Sequence, residues 1–140
     1  MEERRLTARV LPTGATGLTG AQAREAARTV LENLDPHAAG LDNVLTVVSE
    51  LVANATRHGG GATGFTITAH DGTVTVEVGD RSTRPPSLRP WAPDVPGGFG
   101  WRLVNQLATT DIKIHSGGKT VTATLAPEQT GLSDRNPQPA

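Results

Sequence analysis

The sequence predicts an α+β fold, a two-layer sandwich in which a mostly antiparallel mixed sheet carries helices on one face. Three observations predict it. Apolar residues recur at intervals of three and four in three segments, the helical period. They alternate with polar residues in five others, the strand period. Asp71-Gly72 and Gly117-Gly118 fall between neighbouring strand segments, where tight turns close antiparallel hairpins.

The first strand is expected over residues 4–11, with Leu6, Ala8 and Val10 on one face. Ala23, Ala26, Ala27, Val30, Leu31 and Leu34 then define an amphipathic helix over 20–34, closed by Asp35-Pro36. A second helix over 41–58 carries one apolar stripe: Leu41, Val44, Leu45, Val48, Leu51, Val52 and Ala55. Gly59-Gly60-Gly61 stops it. Phe65, Ile67 and Ala69 face one way on the next strand, and Val74, Val76 and Val78 on its hairpin partner. Residues 81–98 hold Pro85, Pro86, Pro90, Pro93, Pro96, Gly97 and Gly98, which predicts a long irregular loop of the kind that forms functional lids. A third helix over 99–108 and a second hairpin, 111–115 with 119–125, complete residues 1–126 as one domain. Residues 127–140 are polar and contain Pro127, Pro137 and Pro139, so they are expected to be a disordered tail.

Composition narrows the function classes. The chain has 140 residues, and thirteen basic against fourteen acidic side chains give a net charge of -1, which argues against direct nucleic-acid binding. With no cysteine there is neither a disulfide framework nor a thiolate nucleophile. No apolar run approaches the roughly 18 residues of a membrane span, and Met-Glu-Glu-Arg-Arg leads into no apolar signal segment. The expectation is a cytoplasmic domain with no membrane partner.

Thr46, Glu50, Asn54 and His58 are four residues apart and line one face of the second helix, beside its apolar stripe. A carboxylate and a carboxamide at the edge of a buried face need partners. A hydrated divalent cation is one, since an Asn carbonyl oxygen can ligate it directly. Spacing alone also allows a solvated polar edge. Asp80 continues the inward parity of Val74, Val76 and Val78, where a carboxylate can accept from an amino group such as the exocyclic amine of adenine; a loop-starting cap is the alternative. Gly97-Gly98-Phe99-Gly100 directly precedes a helix, so backbone and helix N-terminus can both approach phosphate oxygens. Gly117-Gly118-Lys119-Thr120 imitates the end of a P-loop, but a strand follows where a P-loop needs a helix.

Taken together, these segments resemble the ATP-binding domain of the Bergerat type, shared by gyrase, histidine kinases and related ATPases. Within it the chain looks like the stand-alone serine kinases that act as anti-sigma factors, the actinobacterial branch above all. The resemblance rests on Ser49-Glu50-Leu51-Val52-Ala53-Asn54-Ala55 with Arg57-His58-Gly59, Val78-Gly79-Asp80, Gly98-Phe99-Gly100-Trp101-Arg102-Leu103-Val104 and Gly118-Lys119-Thr120-Val121. It implies ATP and Mg²⁺ as cofactors, with Asn54 as the metal ligand and Glu50 as the general base toward a partner's serine. It also implies that Asp80 reads the adenine amine, that Thr120 supports that contact through water, and that Gly98 and Gly100 bring backbone amides to the phosphates. The partners it implies are a sigma factor, an anti-sigma factor antagonist protein, or both, with a homodimer as a possible assembly. One departure stands out. The family usually carries Asp-x-Gly-x-Gly where this chain has Asp80-Arg81-Ser82-Thr83-Arg84-Pro85-Pro86. Two readings therefore stay open: a serine/threonine protein kinase, or a catalytically degenerate module that binds ATP or protein.

Overall fold

The structure is a computed structural model, and it describes residues 5–12, 17–34, 38–84 and 98–132. In chain order the elements are β1 (Arg5–Val10), α1 (Gly20–Glu32), α2 (Ala38–His58), β2 (Ala62–His70), β3 (Thr73–Asp80), α3 (Gly98–Leu107), β4 (Thr109–His115), β5 (Gly118–Leu125) and α4 (Pro127–Thr130). The five strands form one sheet in the order β1-β2-β3-β5-β4. Every pairing between these strands is antiparallel.

Local chemistry accounts for the elements. Asp71 and Gly72 both take positive φ, 55° and 78°, as a two-residue turn requires when its twist must match that of the strands it joins. That turn fixes the register His70↔Thr73 and carries it through Phe65↔Val78. Phe65, Ile67 and Ala69 are buried along β2, Val74, Val76 and Val78 along β3, and Val121, Ala123 and Leu125 along β5. Their alternates are mostly threonines, which leaves the other face of the sheet polar. Helix α1 begins with a capping box: the Gln22 amide donates to Thr19 Oγ1 at 3.1 Å, and the Thr19 amide to Gln22 Oε1 at 2.9 Å.

Helix α2 organises the helical layer. It packs against α1, α3 and α4 and lies over β3, with Val44, Val48, Leu51, Val52 and Ala55 buried. This anchoring fixes one edge of the stripe, where Glu50 and Asn54 stand, relative to the end of β3, where Asp80 stands.

One expectation changes. The chain beyond residue 126 does not leave the fold at once, because α4 turns it back against α2 and strands β3 and β5. Thr130 Oγ1 donates to the Gly72 carbonyl at 2.7 Å, Asn43 Nδ2 donates to the Gln129 carbonyl at 2.9 Å, and Leu132 is buried. Pro127 opens this turn and Gly131, at φ 69°, closes it. The folded unit thus extends through residue 132, and the rest of the expected tail, 133–140, lies outside the described residues. Most of the expected lid, 85–97, also lies outside them.

Candidate functional site

The polar edge of α2 is half-buried at Thr46, Glu50 and Asn54, while His58 at the helix end is exposed. Asn54 Oδ1 is buried and has no hydrogen-bond partner among the described residues. A buried carbonyl oxygen left this way forfeits about 1–3 kcal/mol of hydration. An amide oxygen is a hard ligand, so this orphaned atom fits a magnesium ion. No group of three or more His, Cys, Asp or Glu among the described residues could hold a metal. A cation at Asn54 would take further oxygens from water and a bound ligand.

Glu50 meets the start of α3. Gly98 opens that helix, and Gly100 lies so close to α2 that a methyl group there would overlap Glu50 Oε1 and strike its Cδ at 2.7 Å. Glycine at this position lets the first turn of α3 sit directly against the carboxylate. Of the predicted glycines, Gly98 and Gly100 stand in the first turn of α3, and Gly97 lies outside the described residues. Glu50 also borders an open groove of about 440 Å³ shared with Asp42, Leu45, Thr46 and Ser49. Arg24 of α1 steadies this rim, donating from Nη1 to Ser49 Oγ at 3.3 Å.

Asp80 forms the far end. It is 5% exposed, on the inward face of β3 as its parity predicts. Its Oδ1 accepts from the Ser82 amide at 2.8 Å, which turns the chain out of the sheet. Gly59, just after α2, presses on the same carboxylate; a methyl there would lie 2.5 Å from Cγ. The Arg81 amide donates to the Gly59 carbonyl at 2.9 Å and ties the two segments together. The Arg81 guanidinium donates to the Gly60 carbonyl at 3.1 Å.

The residue beside Asp80 is Lys119. Across the β3·β5 ladder Asp80 pairs with Lys119, and Gly79 with Thr120. Lys119 Nζ lies 3.0 Å from Oδ2 and 3.1 Å from Oδ1 of Asp80 and is 4% exposed. Thr120 is on the opposite face, its Oγ1 3.3 Å from His115 Nε2. The expected support of Asp80 by Thr120 is corrected by this geometry, because successive strand residues point to opposite faces. The same rule locates Lys119 from the sequence: counting back by two from Leu125, Ala123 and Val121 reaches it.

The structure thus brings Glu50, Asn54 and the start of α3 into one cluster and holds Asp80 at the end of β3 beside the residues that follow α2. A hard oxygen ligand, a carboxylate and close backbone at a helix N-terminus together suit a cation-bound anion such as a polyphosphate.

Comparison with known proteins agrees with this architecture. A family model described as the histidine kinase-like ATPase domain matches residues 17–125. A crystal structure of the RsbU and RsbW domains of Rv1364c from Mycobacterium tuberculosis superimposes with a TM-score of 0.61 at 21% identity, covering 88% of this chain and 32% of that one. The histidine kinase domain of a blue-light activated histidine kinase from Erythrobacter litoralis EL346 gives 0.49 at 17% identity, covering 80% of this chain and 62% of that one. This chain therefore spans about a third of the first structure's length and less than two-thirds of the second's. A search of curated proteins finds no match. With a fold of five antiparallel strands under a helical layer, and a family match running from just before α1 to the end of β5, the chain belongs to the histidine kinase-like ATPase domain family.

Proposed function

We propose that this chain is a cytoplasmic, ATP-dependent serine/threonine protein kinase of the anti-sigma factor type, which phosphorylates a partner antagonist protein. The observation that carries the reading is the orphaned Asn54 Oδ1, one helical turn from a carboxylate that rests against the start of α3. The RsbW domain in the superimposed Mycobacterium tuberculosis structure points the same way. Among the described residues no helix is long and apolar enough to cross a membrane.

In this reading Asn54 holds Mg²⁺, which on binding would neutralise charge on the ATP phosphates. The backbone at Gly98 and Gly100 approaches those phosphates, where the N-terminus of α3 favours negative charge. Asp80 accepts from the base. Glu50 takes the proton of a partner serine or threonine hydroxyl as its oxygen bonds to the γ-phosphorus. The bond between that phosphorus and the β–γ bridging oxygen breaks, and ADP leaves. The groove along Asp42, Leu45, Thr46 and Ser49 gives the incoming segment a way to Glu50.

The test is transfer of label from γ-labelled ATP, with Mg²⁺, to proteins encoded beside this chain. Acid-stable phosphoserine or phosphothreonine on one of them is the expected result. ATP binding without transfer to any of them would instead favour a regulatory module that binds and does not phosphorylate. The run Arg81-Ser82-Thr83-Arg84-Pro85-Pro86, with no glycine after Asp80, favours that second reading.

A further inference from the structure

The ion pair at the inner end of the sheet has no structural necessity. The other inward residues of β5 are Val121, Ala123 and Leu125, and an apolar side chain at 119 would continue that face. A buried ion pair in place of packed apolar residues is commonly neutral or worse for stability. Its hydrogen bonds show what it leaves available. An ammonium carries three N–H donors, and Lys119 Nζ meets only the two Asp80 oxygens among the described residues. Among the described residues Asp80 Oδ1 is taken by the Ser82 amide and by Lys119, whereas Oδ2 meets Lys119 Nζ alone. One donor on Nζ and one acceptor position on Oδ2 are left side by side.

From this geometry we propose that Lys119 is a second base-reading residue, donating to the ring nitrogen N1 of adenine while Asp80 Oδ2 accepts from the neighbouring amino group. The proposal rests on the nucleotide-binding reading above and names a specificity residue within it. Adenine presents one donor beside one acceptor on this edge, the complement of what the pair offers. Guanine presents two adjacent donors beside its carbonyl, and Oδ1 is already occupied. Thr120 cannot serve here, since its hydroxyl lies on the other face of the sheet.

The test compares ATP, 1-deaza-ATP (N1 replaced by C–H) and GTP by calorimetry with Mg²⁺, on wild type and on Lys119→Met. Wild type is expected to bind 1-deaza-ATP at least about tenfold more weakly than ATP, the loss of one charge-assisted hydrogen bond. In Lys119→Met that difference should disappear. If Lys119 only held Asp80 in place, the substitution would weaken both nucleotides alike and preserve the difference, which would overturn the proposal. GTP binding more tightly than ATP would overturn it too. ATP binding with no discrimination against 1-deaza-ATP in wild type would overturn this inference alone. Failure of all three nucleotides to bind would remove the nucleotide site itself.

A readout on wild type guards against a variant that does not fold. The chain has two lysines, Lys113 exposed and Lys119 buried, so ¹⁵N-labelled lysine gives two side-chain signals to tell apart. The Lys119 Nζ signal should shift with ATP and much less with 1-deaza-ATP. Equal shifts with both would contradict a bond to N1.

Discussion

Glu50→Gln is expected to lower phosphoryl transfer by about 10²- to 10⁴-fold, the contribution of a positioned general base, while MgATP binds close to its wild-type affinity. The substitution keeps the shape of the side chain that Gly100 accommodates and removes only its capacity to accept a proton. Phosphoryl transfer depends mainly on positioning and charge stabilisation. A residual rate should therefore survive from the Asn54 side of the site and from the backbone of α3. Single-turnover transfer at saturating ATP separates the two effects, since it reads chemistry and not affinity. Transfer at the wild-type rate would remove Glu50 from the reaction, and loss of ATP binding with it would assign the carboxylate to ligand binding instead.

Asp80→Ala should be the more damaging change to the fold. It leaves the Lys119 ammonium at 4% exposure on a face otherwise made of Val121, Ala123 and Leu125. Removing one partner of a buried ion pair costs about 3–5 kcal/mol, because the other charge remains desolvated. The double variant Asp80→Ala with Lys119→Met should recover most of that stability, since the methionine continues the apolar face. Urea unfolding at neutral pH measures both differences. A loss under about 1 kcal/mol in the single variant, the scale of an exposed pair, would show that the ammonium reaches solvent once Asp80 is gone. Neither variant is expected to read adenine, so recovered stability without recovered ATP discrimination would separate the structural from the functional part of Asp80.

Much of this was legible in the sequence because it is written locally. The stripe of α2, the alternation of valines in β3 and the Asp71-Gly72 turn each follow from spacing within a few residues. The fold class follows from their order. What was not legible depends on contacts made at a distance. Strand β2 begins at Ala62, earlier than its apolar alternation suggests, because Ala62 is buried and the Leu18 amide donates to its carbonyl at 3.2 Å. Helix α4 reads as polar tail; it is held by a threonine hydroxyl on the Gly72 carbonyl and by the burial of Leu132. Asn54 was nameable from helical spacing, but not that its carbonyl oxygen would be left without a partner, since that depends on everything packed around it. Lys119 differs from these, because the local alternation along β5 is enough to put it beside Asp80 and to turn Thr120 to the other face.

The central claim is that Asn54 and its neighbours hold a metal-bound ATP. Titration of wild type and Asn54→Ala with ATP, with and without Mg²⁺, tests it most directly. The account predicts saturable binding that requires Mg²⁺ in wild type and weakens at least about tenfold in Asn54→Ala, as expected when a metal-bound ligand loses a protein-derived oxygen. Binding that is indifferent to Mg²⁺ and to the loss of Asn54, or no binding at millimolar ATP, would contradict it.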